Sequence, residues 1–212
     1  MSPHVWLAVV TATLALAALP PRGLAHIPWF RPLLLQLVRD SHCIVSAKVT
    51  PVAADSRGRG VIWLERPTAW CEEPPLPRVA LRTQTVLPSN AWFVLFLRAD
   101  PTGWTDIAPQ GVVFPLDRRD QRVVHRALRR LLKYTRTGNA IALRQALFEL
   151  LEARGEHWRY HAALALRELS RGPANVDHLE RTRLRQLLET ERDPAVRALL
   201  QPLINAPLGP EE

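Results

Sequence analysis

The pattern of apolar and polar positions divides the chain into three parts. An apolar run without any charge covers residues 5–19. Between residues 43 and 116, apolar residues come in short stretches that partly alternate with polar ones, which is typical of β-strands. From residue 118 onward they recur every three or four positions, which is typical of helices. The pattern therefore predicts an α+β protein in which a β-region precedes a helical region.

The β-region is predicted to contain five short strands after a leading helix over residues 29–40. Clusters of turn-forming residues separate the strands, for example Asp55-Ser56-Arg57-Gly58 and Pro88-Ser89-Asn90. Five strands without intervening helices predict a small antiparallel sheet or OB-like barrel. The predicted strands cover residues 43–52, 60–66, 78–86, 91–98 and 111–116.

The helical region carries clear signals at its helix ends. The first helix is expected over residues 118–136, and Asn139 is expected to cap a second helix that ends at Gly155. A third covers 156–171, a fourth begins at Asn175 or Asp177, and Asp193-Pro194 opens the last. The short connections favour antiparallel neighbours. The predicted organisation is a signal peptide (1–25), a β-domain with its leading helix (26–117), a helical domain (118–206) and a disordered tail (207–212).

Two segments resemble known modules. Residues 40–116 resemble the OB-like barrels of secreted netrin-type and metalloproteinase-inhibitor-type modules, on the stretches DSHCIVSAKV (40–49) and WFVLFLR (92–98). Those inhibitors chelate a metal through an N-terminal Cys, whereas the mature chain here is expected to begin at His26, so the resemblance implies a barrel and not that activity. Residues 158–166 and 193–200 resemble HEAT-type helical repeats, which implies an interaction role.

The N-terminal apolar run has the layout of a secretory signal peptide. It is shorter than the roughly 20 apolar residues of a membrane span. Gly23 and Ala25 supply small residues before a cleavage site after Ala25. The segment before the run contains His4 but no Lys or Arg, which departs from the usual pattern. A buried N-terminal helix and an uncleaved anchor are the alternatives. Cleavage would place the mature protein, without a membrane span, in the periplasm or outside the cell.

Export changes the interpretation of the two cysteines. Cys43 and Cys71 are an even pair without metal-type spacing, in what is expected to be an oxidising compartment. A disulfide between them is predicted, and in the chain-entropy model it contributes about 3 kcal/mol. The alternative is two buried thiols that pack as small apolar groups.

Charge is concentrated in the helical region. The net charge is +8, and from Gln121 onward there are 16 basic and 11 acidic residues. All but two of the 28 basic residues are Arg, a bias typical of GC-rich bacterial coding. The helix predicted over 118–136 places its basic residues opposite its apolar ones, which predicts either an anion-binding surface or a core helix with a solvated outer face. The candidate anion-binding residues are Arg118, Arg122, Arg126, Arg129, Arg130 and Lys133, with Arg119 and Arg136 on the same side.

Other chemistry has weaker support in the sequence. His157 and His161 have the spacing of two metal ligands on a helix, but the stretch HWRYH lacks the Glu of HExxH. After cleavage, His26 could hold copper through its amine and imidazole if His42 or His125 lay nearby. The sequence contains no GxSxG, SxxK, P-loop or GxGxxG motif, and no cofactor is predicted.

Three functions follow, in order of preference. The first is a non-catalytic exported module that binds an unidentified protein through its helical region. The second is a protein of the cell envelope that binds anionic glycan or lipid through the basic helix. The third is a metal-dependent secreted enzyme that uses His26, or His157 and His161. Export argues against nucleic acid as the partner, although a basic surface could attract it.

Overall fold

A computed structural model describes residues 33–71, 80–101, 103–170 and 176–205. The expected signal peptide, His26, the start of the helix over 29–40 and the expected tail lie outside these residues. Within this part of the chain, strands and helices follow in an α+β order. They are α1 (Leu33–Asp40), β1 (Cys43–Ala54), β2 (Gly60–Trp70), β3 (Leu81–Thr83), β4 (Trp92–Asp100), β5 (Gly103–Asp106), β6 (Phe114–Pro115), α2 (Gln121–Thr137), α3 (Ala140–Leu151), α4 (Glu156–Leu169), α5 (His178–Thr190) and α6 (Pro194–Asn205).

The β-region forms a closed barrel of five strands. Strand β1 pairs with β2 along one edge and with β4 along the other, and the pairs β2–β3, β3–β5 and β5–β4 complete the ring. The two residues of β6 pair with Phe93 and Val94 of β4. The prediction of an α+β protein with a five-stranded barrel is confirmed. One pairing differs from the antiparallel expectation, because β3 and β5 run parallel.

The closing strand β5 is the main correction to the predicted strands. It has four residues and begins at Gly103, in the stretch between the predicted strands 91–98 and 111–116. Conversely, two predicted strands are shorter than expected: β3 is limited to Leu81–Thr83 and β6 to Phe114–Pro115. Short strands contain too few alternating positions to show a pattern, so their distant pairing partners define them.

Alternation along the strands separates two hydrophobic cores. Alternate residues of β1 and β4 point to opposite sides of the barrel wall. Those on the outer side, such as Ile44, Val94 and Phe96, belong to a core that the barrel shares with all six helices. This shared core joins both halves within one compact unit, Arg31–Glu212. The other core fills the barrel and consists of Cys43, Val45, Ala47, Val49, Ile62, Leu64, Leu81, Leu87, Phe93, Leu95 and Leu97.

Three of the predicted helix starts are confirmed by their capping bonds. The Asn139 side chain accepts a hydrogen bond from the Ala142 N–H at 3.0 Å. Asp177, rather than Asn175, is the N-cap of α5, where it forms a reciprocal capping box with Glu180. Asp193 accepts from the N–H groups of two residues at the start of α6. Each cap satisfies backbone donors that the helix itself leaves without partners.

Two helix boundaries differ from the sequence-based expectation. Helix α2 begins at Gln121, so Arg118 and Arg119 lie in the turn before it. Helix α3 ends at Leu151, and Gly155 is the N-cap of α4 rather than the terminator of α3. A side chain at position 155 would be crowded, because its Cβ would lie 3.2 Å from Cδ1 of Trp158, and this favours glycine there.

The buried carboxylate of Asp120 joins the start of α2 to the start of α4. It is 3% exposed, and it accepts hydrogen bonds from the backbone N–H groups of Arg154 (2.9 Å) and Gly155 (2.8 Å). Beside it, the fully buried Trp158 donates from Nε1 to the Pro115 carbonyl at 2.8 Å. These bonds attach the α3–α4 connection both to α2 and to strand β6.

The helices pack mainly against their neighbours in sequence. Helix α3 contacts both α2 and α4, while α6 contacts α4 and α5, and α1 lies against α2 and α4. Helix α3 is also joined to α5 by an ion pair between Arg144 Nε and Glu180 Oε1 at 3.0 Å, in which both side chains are largely buried.

Replacing Asp120 with Ala is expected to lower the free energy of unfolding by about 2–4 kcal/mol, because two buried backbone donors lose a charged acceptor. Urea unfolding followed by circular dichroism measures the change. Asp117→Ala is the matched control, since Asp117 is exposed and accepts only a local bond from the Arg119 N–H. Equal effects of the two substitutions would contradict the role assigned to Asp120.

Candidate functional site

Helix α2 has one buried face and one exposed basic face. Val124, Ala127, Leu128 and Leu131 are at most 1% exposed and belong to the shared core. The helix ends before Gly138, whose φ of 68° is the left-handed conformation that favours glycine at a helix end. We define the basic face as the exposed side chains along and just before this helix: Arg118, Arg119, Arg122, Arg126, Arg129, Arg130, Lys133 and Arg136.

One acidic residue neutralises part of the basic face. Glu149 of α3 forms ion pairs with Arg126, at 3.1 Å between Nε and Oε2, and with Arg130. The other six basic side chains form no ion pair within the described ranges of the chain. Lys133 lies 5.4 Å from the centre of the Tyr134 ring. Most of the positive charge on this face is therefore available to an external anion.

A histidine on the same helix attaches it to the barrel. Nε2 of His125 lies 2.9 Å from Oγ of Ser46, which is fully buried on β1. The His125 ring also contacts the ring of Trp70 edge-on, with 4.8 Å between centroids. Burial, and then the neighbouring Arg129 cation, lower the pKa of His125. The neutral imidazole is thus favoured at neutral pH, and the Ser46 hydroxyl beside it is fully buried.

The candidate metal ligands are not gathered into one site. His26 lies outside the described residues. His161 packs between the rings of Phe114 and Tyr160, and His157 is half-buried on the same helix. Nδ1 of His42 accepts a hydrogen bond from the Ala99 N–H at 3.2 Å. Across residues 33–71, 80–101, 103–170 and 176–205, the structure contains no group of three His, Cys, Asp or Glu side chains that could hold a metal.

The predicted disulfide is confirmed. Cys43 and Cys71 are bonded, with 4.9 Å between their Cα atoms and a sequence separation of 28 residues. The bond joins the first residue of β1 to the residue that follows β2. The alternative of two free thiols is wrong.

A polar cleft of about 520 Å³ beside the β1–β2 turn was not predicted from the sequence. Residues from the β1–β2 turn, β3, β4 and β5 form its walls. At one wall, Asp55 pairs with Arg59 at 2.7 Å, and hydrogen bonds from the Arg59 backbone and side chain lower the pKa of Asp55. At another, Thr105 donates to Asp100. In the sequence, only the β1–β2 turn could have indicated this cleft, because its other walls come from strands that are distant along the chain.

Asp106 is a second buried acid that the sequence does not reveal. It ends β5 and is 7% exposed. Burial raises the pKa of Asp106 to about 7, although the N–H groups of Phe96 and Ala108 donate to Oδ1 and act in the opposite direction. The space beside it has a volume of only about 10 Å³, too small for a substrate. We therefore assign this carboxyl to the barrel wall.

Comparison with known proteins gives no match, whether with family models, with curated proteins or with solved structures. A membrane-spanning helix would have to be long and strongly apolar, and none of the helices within the described residues meets both conditions.

Replacing Asp106 with Asn is expected to flatten the dependence of stability on pH. The folded-state pKa of about 7 lies above the ordinary 3.8, so the stability that protonated Asp106 contributes is complete below pH 3.8. It is lost as the pH rises through 7, by an amount on the order of 2–4 kcal/mol. Urea unfolding at pH 5 and pH 8 should show a larger decrease for the native chain than for Asp106→Asn.

Asp117→Asn is the control for this experiment, because Asp117 is an exposed carboxylate. It should keep the pH dependence of the native chain. Identical pH slopes for the native chain and Asp106→Asn would show that burial does not perturb this acid.

Proposed function

We propose that this chain is a non-catalytic binding protein whose basic face attaches it to a polyanionic surface. The observation that carries the proposal is the exposure of eight cationic side chains, six on α2 and two in the turn before it. Within the described residues, two of the eight are paired with an acid. A helix of 17 residues is about 25 Å long. A strip of that length can contact several phosphate or carboxylate groups at once, which suits a lipid or glycan surface better than a small ion.

The packing of α2 supports this assignment. Its apolar face is already buried in the shared core, so the helix need not leave the protein to bind. Binding would then be electrostatic and sensitive to salt, since exposed charges are screened over about 10 Å at 0.1 M ionic strength. Each basic residue near an anionic membrane contributes about 1 kcal/mol, so three substitutions are sufficient for a clear effect.

We also propose that the chain is exported. The apolar run over residues 5–19 and the small residues Gly23 and Ala25 suit cleavage after Ala25. A disulfide persists most readily in an oxidising compartment, and Cys43–Cys71 agrees with that location. In the periplasm or outside the cell, the polyanions at hand are envelope glycans and lipid head groups rather than nucleic acid.

Protein binding through the helical region is the second candidate function. Two large apolar side chains are exposed there, Ile141 at 61% and Leu179 at 79%. The HEAT-like segments favour the same reading, because arrays of paired helices commonly bind other macromolecules. The strand order β1-β2-β3-β5-β4 supports the proposed OB-like barrel but does not choose between functions. A metal-dependent enzyme has no supporting observation among the described residues.

Removing three unpaired charges from the basic face should weaken binding to anionic vesicles. The triple variant Arg118→Gln, Arg122→Gln and Arg129→Gln is expected to bind phosphatidylglycerol-containing vesicles about 100-fold less tightly at low salt. Binding of the native chain should itself fall as salt is raised from about 50 to 500 mM. Vesicle co-sedimentation measures both effects.

The matched control changes Arg57, Arg98 and Arg185 to Gln. These residues are exposed and belong to the β1–β2 turn, β4 and α5 rather than to the basic face, and the net charge changes equally. This control should retain most of the binding. If both triple variants lose the same affinity, net charge rather than the basic face determines binding, and retention in both would exclude the face altogether.

Export has its own test, the intact mass of the protein recovered from a bacterial periplasm. The expected mass begins at His26, and alkylation should occur only after reduction because Cys43 and Cys71 are bonded. A full-length mass would contradict cleavage after Ala25, and recovery from the cytoplasm alone would contradict export.

A further inference from the structure

A cavity lies at the end of the barrel where β1 begins. His42 immediately precedes β1, Trp70 is the last residue of β2, and Cys71 follows it. Nearby, Ala99 of β4 pairs with Trp104 of β5. A cavity of about 400 Å³ opens between these residues and the second half of α2. We call it the barrel-end pocket. Mouths of β-barrels are common positions for small-molecule sites, and the volume is within the usual range for such sites.

The walls of the barrel-end pocket are mainly apolar. Trp70 and Trp104 contribute two indole rings, Leu132 of α2 contributes an aliphatic side chain, and Cys71 contributes its half of the disulfide. The disulfide ties the end of β2 to the start of β1, so this part of the wall is covalently held. A narrow apolar molecule would replace water in contact with these surfaces, which favours its binding.

The polar groups of the pocket are N–H donors. Nδ1 of His42 accepts the Ala99 N–H, so a neutral His42 carries its proton on Nε2. Arg136 of α2 lines the same pocket and is exposed. Of the described residues that line the pocket, none carries a carboxylate.

We propose that the barrel-end pocket binds a small amphiphilic anion, a carboxylate on an unbranched apolar chain. The carboxylate pairs with the guanidinium of Arg136, which offers two parallel N–H donors to such a group. The chain packs against Trp70, Trp104 and Leu132.

This site is distinct from the surface that the proposed function uses. Arg136 belongs to both, but the other seven residues of the basic face do not line the pocket. The two proposals therefore fail separately: substitutions at Arg118, Arg122 and Arg129 test the surface, and substitutions at Trp104 and Arg136 test the pocket.

The test is titration of the purified full chain with decanoate, followed by calorimetry and by tryptophan fluorescence. We expect saturable binding of one decanoate per chain. Arg136→Gln should weaken it about tenfold or more, since a charged hydrogen-bond partner is lost. Trp104→Ala should weaken it similarly. Arg185→Gln, exposed on α5 and outside both the pocket and the basic face, is the matched control and should change the affinity less than about twofold.

Decanol and acetate separate the two halves of the recognition. Both should bind much more weakly than decanoate, because one lacks the charge and the other lacks the chain. Equal affinity for decanol and decanoate would overturn recognition of the anion, and equal affinity for acetate would overturn the apolar part. Absence of saturable binding up to about 1 mM decanoate, or equal losses in Arg185→Gln and Arg136→Gln, would overturn the pocket itself.

Discussion

The rest of the structure depends on strand β4 being apolar on both faces. Phe93, Leu95 and Leu97 fill the barrel, while Val94 and Phe96 lie in the core that is shared with the helices. A strand with one polar face would close the barrel but leave the helices without a surface to bury against. Because all six helices contribute to the shared core, their positions follow from the outer face of this strand and its neighbours.

Helix α2 uses separate residues for folding and for its proposed binding role. Its buried side chains, such as Val124 and Leu128, supply the packing, and His125 fixes it to the barrel through Ser46. Its cationic side chains are exposed, and they contribute little to stability because exposed ion pairs are weak. Charges on this face can therefore be changed without loss of the fold, which is why its function can be examined by substitution.

Local chemistry explains how much of the fold was predictable. Three helix starts were predictable because a residue beside each helix caps it, namely Asn139, Asp177 and Asp193. The Cys43–Cys71 bond was predictable from the even number of cysteines and the expected export. The basic face followed from helical periodicity, although Arg118 and Arg119 precede the helix. Features formed where distant segments meet leave no local pattern in the sequence. Strand β5, the bonds of Asp120, the polar cleft and the barrel-end pocket all depend on residues far apart in sequence.

The disulfide turns the β1–β2 hairpin into a covalent ring. Cys43 and Cys71 enclose both strands and the exposed turn that begins at Asp55. A protease that cuts one bond within that turn opens the ring but releases no fragment, since the two ends stay joined through sulfur. The strands would also keep their hydrogen bonds to β3 and β4. The exposed tip of the barrel can thus be nicked once, outside a cell for example, without separating the chain into two pieces.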